Sequence, residues 1–347
     1  MVVGETTQVL ADLVDEAGAL FHDKKHRAIE LPAVSAPLAD THGHLTVFRK
    51  MDPARALARA ALAGVRLLVV PLDPTEDATD APARLAWLDE QLERAAELLE
   101  LAKRHGLTLP HPSGYEELPD LLDNVRIVCG VHPYGAADFL GCGKRGPAFG
   151  EAAHEALAEL LAHPRCVGVG EIGIDFGPWN ELPEDVQVEA FVEQLRLAHA
   201  QEMPVELHIR DAQDDPSAHA HQLAAEILAD EGVPRAGCDL HCFTSGPEVL
   251  DPFVRLGCHI AFGGAATFAR SEEIRAAAVL CPSSRILSET DSPYMAPAPL
   301  RGRECEPAMV TFSAACVART RAEAGVATVD ETYRMLWDNA CKLFDRR

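Results

Sequence analysis

Short apolar runs alternate with amphipathic helical stretches along most of this 347-residue chain. Eight of the runs have the length and composition of buried strands, at residues 38–45, 65–72, 125–132, 166–173, 204–210, 237–243, 258–264 and 285–291. The stretches between them show helical periodicity and end near Gly, Pro or a polar turn. Eight strands alternating with helices predict an α/β fold, a parallel (β/α)₈ TIM barrel.

The length of the chain admits one large domain or two smaller ones. We predict a single domain, because no linker or change of composition divides the sequence. Residues 1–37 are expected to form a helical extension outside the barrel, and residues 306–325 and 331–344 to form closing helices. The stretch 73–124 is longer than one crossover requires, so we expect residues 108–120 to form a mobile flap.

Charge limits the ways in which this chain could bind nucleic acid. The formal net charge is −23, which disfavours a protein that grips duplex DNA through many Lys and Arg contacts to phosphate. An acidic enzyme can still cleave a phosphodiester where a bound metal ion supplies positive charge locally.

Targeting features and cysteine usage predict the compartment. The first thirty residues lack the basic and apolar regions of a signal peptide, and no stretch reaches the roughly 18 apolar residues of a membrane span. The ten cysteines include no CxxC pair. We therefore expect a cytoplasmic monomer or small homo-oligomer with reduced thiols and no membrane contact. Cys238 and Cys242 flank His241, so zinc ligation is a second interpretation beside buried free thiols.

Histidines and carboxylates are concentrated at the carboxyl ends of the predicted strands. The residues at these positions are His42, His44, His132, Glu171, His208, His241 and Asp291. This rim is where the catalytic residues of (β/α)₈ barrels assemble. Side chains two apart on a strand point to the same side, so His42 and His44 can face one ion. The alternative is a hydrogen-bonded pair of histidines near a strand end.

A second HxH sequence, His219 and His221, provides an internal comparison. It lies in a helical stretch, where an offset of two points the side chains to different faces. We interpret this pair as surface residues that do not chelate a metal.

Four imidazoles and two carboxylates form the predicted metal centre. Its ligands are His42, His44, Glu171, His208, His241 and Asp291. This donor set suits Zn²⁺ or Mn²⁺ better than Mg²⁺, which prefers oxygen ligands, although all three remain candidates. Glu171 lies between the two histidine groups in chain order, so its carboxylate is the best candidate to bridge two ions that together activate water.

Further carboxylates occur two residues before a predicted ligand. They are Asp40, Glu206, Asp239 and Glu289. They share the parity of the ligands and could accept hydrogen bonds from the imidazoles, which would fix the histidine tautomers. The other interpretation is a buried, water-linked polar layer without a catalytic role.

Basic residues near the predicted rim are candidates for binding phosphate. Arg210 follows His208, and Arg301 and Arg303 follow the eighth strand. Ion pairing with neighbouring acidic residues is the alternative for the last two. The glycine-rich stretch 141–146 is predicted to be a flexible loop whose Lys144 and Arg145 could also touch a phosphate.

The order and spacing of these motifs resemble those of the TatD family of metal-dependent deoxyribonucleases, within the amidohydrolase superfamily. The resemblance runs from about residue 38 to the C-terminus, through the motifs DTHGHL at 40–45, GVHP at 130–133, GEIGID at 170–175, PVELHIRDA at 204–212, HCF at 241–243 and ETDSPY at 289–294. The chain departs from the family pattern at Gly43, at residues 176–179, and at Glu206 and Asp239, whose positions are usually apolar.

The resemblance implies specific roles for the rim residues. One metal would bind His42, His44, Glu171 and Asp291, and a second would bind Glu171, His208 and His241. Asp291 would also orient or deprotonate the attacking water, and His132 would face the scissile phosphate.

Three classes of function stay open from the sequence. The first is a nuclease that hydrolyses single-stranded nucleic-acid ends in the 3'-5' direction. The second is a hydrolase of a small phosphoester, amide or lactone. The third is a metal-binding scaffold without catalysis, which the complete set of ligands disfavours.

Overall fold

The computed structural model describes residues 13–15, 18–76 and 80–345. Eight parallel strands form one sheet in chain order. They are β1 (Leu38–Asp40), β2 (Val65–Leu72), β3 (Val125–Cys129), β4 (Cys166–Asp175), β5 (Val205–Arg210), β6 (Cys238–Leu240), β7 (His259–Phe262) and β8 (Ile286–Ser288).

Backbone hydrogen bonds join the segment after β1 to the end of β8 and the residues that follow it, and so bring the sheet round into a nearly closed barrel. The N–H of Thr41 donates to the carbonyl of Ser288 at 3.1 Å, and the N–H of Asp291 donates to the carbonyl of His42 at 2.9 Å. Gly43 and Ser292 form a parallel bridge beside them. The structure therefore confirms the predicted (β/α)₈ fold.

Ten α-helices are present in the described part of the chain, mostly between the strands. They are α1 (Pro53–Leu62), α2 (Ala81–Arg104), α3 (Ala136–Phe139), α4 (Pro147–Leu161), α5 (Glu184–Ala200), α6 (His219–Glu231), α7 (Pro247–Leu256), α8 (Glu272–Leu280), α9 (Val310–Glu323) and α10 (Val329–Phe344). The last two are the predicted closing helices. None of the described helices has both the length and the apolar character needed to cross a bilayer.

Local sequence explains why these elements form where they do. All eight residues of β2 and all ten of β4 are buried, as expected for strands covered by helices on one face and by the barrel interior on the other. Helix α1 begins at Pro53, where the side chain of Asp52 accepts a hydrogen bond from the N–H of Arg55 at 3.0 Å. A capping box of Thr328 and Glu331 begins α10.

Residues 1–37, predicted to form a helical extension, are described only in part, and the described part contains an antiparallel hairpin. Residues 1–12, 16 and 17 lie outside the described part, but Phe21–His22 pairs antiparallel with Ala28–Ile29. The connecting turn is stabilised by Asp23, whose carboxylate accepts hydrogen bonds from the N–H groups of Lys25 and Arg27 at 2.8 and 3.0 Å. These side chain to backbone bonds favour a turn over a helix.

Residues 108–120, which the sequence predicts to form a mobile flap, contact the barrel at several points. This segment packs at the amino-terminal side of the barrel, where the guanidinium of Arg66 donates to the carbonyl of Pro110 at 2.6 Å. Tyr115 and Leu118 pack against the hydrophobic core. Apolar side chains hold this segment, which contains three prolines, against the base of the barrel and away from the rim.

A buried ion pair joins α1 to the loop after β8. Arg59 donates two hydrogen bonds to the carboxylate of Glu306, at 2.7 and 2.8 Å, and also donates to the carbonyls of Leu13 and Leu20. Both partners of the pair are almost fully buried. This contact attaches the N-terminal segment to the barrel.

Replacing Arg59→Ala should lower the free energy of unfolding by about 3–5 kcal/mol, because Glu306 would remain buried without its partner. Urea unfolding measures the change. Arg94→Ala is the matched control, since Arg94 pairs with Asp52 on the surface and its loss should cost under about 1 kcal/mol. Equal small losses in both variants would contradict a structural role for the buried pair.

Candidate metal centre

Most of the predicted site residues lie one or more residues beyond the strand ends. The sequence placed His42 and His44 at the end of the first strand, but β1 stops at Asp40, and β6 and β8 likewise stop before His241 and Asp291. The backbone at Asp291 has a φ of +54°, a turn conformation that ends strand pairing. The side chains still reach the rim because the backbone bends as it leaves each strand.

Glu171 lies at the centre of these side chains and faces a different histidine pair with each oxygen. Its Oε2 lies 3.9 Å from Nε2 of His42 and 3.8 Å from Nε2 of His44. Its Oε1 lies 2.9 Å from Nδ1 of His208 and 3.2 Å from Nε2 of His241. One carboxylate therefore has ligand atoms from the segment after β1 on one side, and from β5 and the segment after β6 on the other.

Asp291 completes the side of the cluster that contains the first histidine pair. Its Oδ1 lies 3.8 Å from Nε2 of both His42 and His44. Ligand atoms come within 4.8 Å of one another in four overlapping groups, which are His42, His44 and Glu171; Glu171, His208 and His241; His42, His241 and Asp291; and His132, Asp175 and His208. All six predicted metal ligands belong to at least one group.

Hydrogen bonds on the far side of two histidines orient their ligand nitrogens. Nδ1 of His42 lies 2.7 Å from Oε1 of Glu206, and both side chains are fully buried. Nε2 of His208 lies 2.9 Å from Oδ2 of Asp175. When these outer nitrogens donate to the carboxylates, the inner nitrogens carry lone pairs that face the cluster. Such a donor set fits a divalent cation.

The four carboxylates predicted to accept hydrogen bonds from the ligand imidazoles have different partners. Glu206 contacts His42, as the sequence predicts, but Asp40 accepts hydrogen bonds from the N–H and hydroxyl of Thr290. Glu289 accepts from the N–H of Cys242 at 2.6 Å, and its other oxygen lies 3.8 Å from Nδ1 of His241. Neither oxygen of Asp239 has a hydrogen-bond partner among the described residues.

Sequence reasoning did not assign a role to Asp175. The sequence spacing could have indicated this residue, because Asp175 lies four residues after Glu171 on one strand and therefore faces the same side. Asp73 was also missed. Its carboxylate accepts a hydrogen bond from the backbone N–H of His132 at 2.9 Å, and burial raises the pKa of Asp73 to about 6.

The electrostatics of the cluster favour a negative Glu171. Burial by itself would raise the pKa of this carboxyl, but the nearby His42 and His132 and the hydrogen bonds to His208 and His241 hold it well below its usual value. Glu171 therefore stays ionised inside the barrel mouth, where an unpaired carboxylate would be costly.

Among the histidines of the cluster, His208 has a raised pKa. Burial lowers its pKa, but the hydrogen bonds to Asp175 and Glu171 outweigh burial and raise the pKa to about 9. Burial lowers the pKa of His44 to about 4 and that of His132 to about 3, so both rings are neutral. A divalent cation would supply the charge at His208 and displace its proton.

Burial raises the pKa of Glu206 well above its usual value. Its Oε2 has no partner among the described residues, whereas Oε1 contacts His42. A proton on Oε2 leaves Oε1 free to accept, so Glu206 can accept the Nδ1 hydrogen of His42 in either protonation state.

A cavity of about 920 Å³ opens above this cluster. His132 is on its wall, with Nδ1 accepting the N–H of Tyr134 at 3.1 Å and Nε2 lying 3.8 Å from Oε1 of Glu171. Cys242 also lines the cavity, and its Sγ lies 3.4 Å from Oδ2 of Asp291. No cysteine belongs to the groups of converging ligand atoms found in the described chain.

The arginines on the cavity wall differ from those that the sequence suggested. Arg210 lines the cavity as expected, but Arg301 and Arg303 are not among its lining residues. Arg301 stacks on the ring of Phe268, and Arg303 donates to the carbonyl of Asp23. The loop that carries them turns at Gly302, whose φ is +89°, and follows a path towards the N-terminal hairpin.

Two further arginines, Arg49 and Arg145, line the cavity instead. Arg145 belongs to the glycine-rich loop that the sequence marked as a possible phosphate contact. Its guanidinium donates to the carbonyl of Thr75 at 2.7 Å.

The comparison pair His219 and His221 does not converge on one point. His219 contacts Glu184 at 2.8 Å, whereas His221 contacts Asp211 at 2.7 Å. His221 is buried, so its assignment to the surface was wrong. It packs edge-on against Phe253, which explains its burial.

A (β/α)₈ barrel with histidines and carboxylates converging at its carboxyl rim has the architecture of a metal-dependent hydrolase. The chain belongs to the TatD related DNase family, whose sequence model matches residues 39–345. It is 32% identical over 258 residues to the metal-dependent hydrolase YabD of Bacillus subtilis, covering 74% of this chain and 92% of that protein.

Two Escherichia coli proteins extend the comparison. The 3'-5' ssDNA/RNA exonuclease TatD is 33% identical over 216 residues, which cover 60% of this chain and 76% of that protein. The crystal structure of the TatD homologue YjjV superposes with a TM-score of 0.63 at 25% identity, covering 89% of this chain and 98% of that one.

Replacing Glu206→Leu should weaken divalent-metal binding about 10–100-fold, because Nδ1 of His42 would lose its acceptor and the ring its fixed orientation. Competition with a chromophoric chelator measures the affinity without any assay of activity. Glu206→Gln is the matched control, since its amide oxygen can still accept and its affinity should stay within a few-fold of wild type. Unchanged affinity in the Leu variant would rule out this positioning role.

Proposed function

We propose that this chain is a two-metal phosphodiesterase that removes nucleotides from the 3' ends of single-stranded nucleic acids. The observation that carries the proposal is the position of Glu171, whose two oxygens face separate histidine pairs. A carboxylate with ligand nitrogens on both sides is suited to bridge two cations.

The two cations would share Glu171. The first would be held by His42, His44, Glu171 and Asp291, and the second by Glu171, His208 and His241. Imidazole-rich sets of this kind favour Zn²⁺ or Mn²⁺ over Mg²⁺. When bound, such ions supply the positive charge that activates a water molecule and stabilises the oxygens of a phosphoryl group.

His132 is suited to bind the substrate. Its Nδ1 accepts the N–H of Tyr134, and burial keeps the ring neutral, so the proton lies on Nε2. Because His132 lines the cavity, its Nε2–H group can donate to a phosphate oxygen bound there. Asp291 would act as the general base, because its carboxylate borders the cavity and can accept a proton from the attacking water.

Local charge supports an anionic substrate of limited width. Arg49, Arg145 and Arg210 line the cavity, while the chain as a whole carries a net charge of −23. Acidic residues also line the cavity, so a locally positive mouth would depend on the bound cations together with these arginines. The negative charge of the rest of the chain disfavours a long duplex and favours a single-stranded end. The 3'-5' polarity rests on likeness to the Escherichia coli exonuclease, which is 33% identical.

With Mn²⁺ or Zn²⁺ added, a 5'-labelled single-stranded oligonucleotide should shorten stepwise from its 3' end. Gel analysis of the labelled ladder shows the polarity directly. A chelator should abolish the activity, and Glu171→Gln should remain inactive with excess metal because the amide removes the shared negative charge. Blunt duplexes and circular single strands should resist.

Two outcomes of this assay would overturn the proposal. Nicking of the circular strand would contradict dependence on an end. A metal-loaded enzyme that is inert towards every oligonucleotide but hydrolyses a small phosphoester, amide or lactone would assign the cavity to a small-molecule substrate.

The roles of two histidines can be separated by metal content. His208→Ala should empty one metal position, whereas His132→Ala should keep the metal and lower kcat on the oligonucleotide by about 10²-fold or more. Elemental analysis of the purified variants, paired with the labelled-oligonucleotide assay, tests both statements. Equal loss of metal would instead make His132 a ligand, as its grouping with Asp175 and His208 would allow.

A further inference from the structure

The exposed aromatic side chains of the described chain are gathered around one opening. Among the exposed large hydrophobic residues of the described chain, three are aromatic. Their exposed fractions are 47% for Tyr134, 73% for Trp179 and 53% for Tyr294. All three line the cavity above the metal centre. The aliphatic members of the same exposed set are not among the residues that line the cavity. This distribution points to a function at the mouth.

Trp179 differs from the other two tryptophans of the chain. Trp337 is buried and Trp87 packs against the hydrophobic core. Leaving an indole mostly exposed forgoes the stabilisation that burial of its apolar surface would provide. A large aromatic ring left in solvent beside a catalytic cavity is typical of a surface that a ligand covers.

The turn that carries Trp179 is attached to the metal centre. The N–H of Gly177 donates to Oδ1 of Asp175 at 2.5 Å, and the side chain of Asn180 donates to the carbonyl of Asp175 at 3.1 Å. The other oxygen of Asp175 contacts His208. One carboxylate therefore positions both a predicted metal ligand and the turn that presents the indole.

Arg210 supports the indole from the neighbouring strand. Its guanidinium lies 4.9 Å from the centre of the Trp179 ring, within the range of a cation–π contact. Arg210 pairs in register with Asp175 across β4 and β5, so the guanidinium and the turn arise from adjacent positions. With 73% of the residue exposed, much of the indole surface stays free for a planar ligand.

Tyr134 and Tyr294 extend the aromatic surface around the mouth. The ring of Tyr134 contacts His132 edge-on, with centroids 4.4 Å apart, and that of Tyr294 contacts His44 edge-on at 6.0 Å. A chain of nucleotides entering the cavity would meet aromatic rings beside the residues proposed to bind phosphate and metal.

We propose that Trp179, backed by Arg210 and flanked by Tyr134 and Tyr294, forms a stacking subsite for an unpaired nucleobase near the 3' end. This inference rests on the proposed nuclease function and adds a base-binding element to it. Every nucleobase has a planar π face, so stacking of this kind selects unpaired bases without reading their sequence. Bases inside a duplex are already stacked and would have to leave their neighbours to bind.

The test compares oligothymidylates with versions in which each of the three 3'-terminal nucleotides is in turn abasic. All substrates keep the same phosphates, so only the base is removed. Wild-type metal-loaded enzyme should lose roughly tenfold in kcat/KM for at least one abasic position. Trp179→Ala should raise KM for intact oligothymidylate by a similar factor and abolish the preference for a base, while Trp179→Phe should retain part of it.

Leu280→Ala is the matched control, since Leu280 is an exposed apolar residue that does not line the cavity. It should keep the wild-type preference. An equal fall for intact and abasic substrates in Trp179→Ala would show that the indole supports the fold of the turn and would overturn the stacking subsite. An equal kcat/KM of the wild-type enzyme for intact and abasic substrates would also overturn the stacking subsite. Neither result would contradict the nuclease function. Failure to hydrolyse any oligonucleotide would refute the nuclease function itself.

Discussion

The ionised carboxylate of Glu171 is buried in the mouth of a barrel, and the rest of the site follows from what that burial requires. A carboxylate removed from water is stable only where donors or positive charge surround it. Here the surrounding histidines lie just after β1, within β5 and just after β6, which are far apart in the sequence. Only a closed parallel barrel brings the carboxyl ends of these strands to one point. The metal centre therefore depends on closure of the barrel.

The ligand set could be predicted from the sequence because two independent regularities mark it. Buried parallel strands appear as apolar runs, and polar residues that interrupt them at the carboxyl end, such as Glu171 and His208, are conspicuous. The partners of these ligands could not be predicted in the same way. Glu206 and Asp239 have the same offset from a histidine, yet only Glu206 reaches an imidazole. That difference depends on which strand lies opposite, which is a property of the closed barrel and not of the local spacing.

Loops account for most of what the sequence misassigned. Arg301 and Arg145 both lie beyond strand ends in segments containing glycine, and the sequence alone favoured Arg301 as a phosphate ligand. The path of each loop is set by backbone turns and by long-range contacts, such as the bond from Arg145 to the carbonyl of Thr75. Hydrophobic periodicity contains no information about such contacts. The N-terminal hairpin was missed for the same reason, because its turn depends on hydrogen bonds to a single aspartate.

The barrel closes through the segments that carry His42 and Asp291, and a metal ion shared by these residues would lie across that seam. Thr290 and Asp40, beside the two ligands, are 250 positions apart in the chain. A cation bound to both residues would link the first and the last strand of the barrel. Its binding would stabilise the folded state by closing a very long loop. The ion proposed to activate water would thus also stabilise the closed barrel.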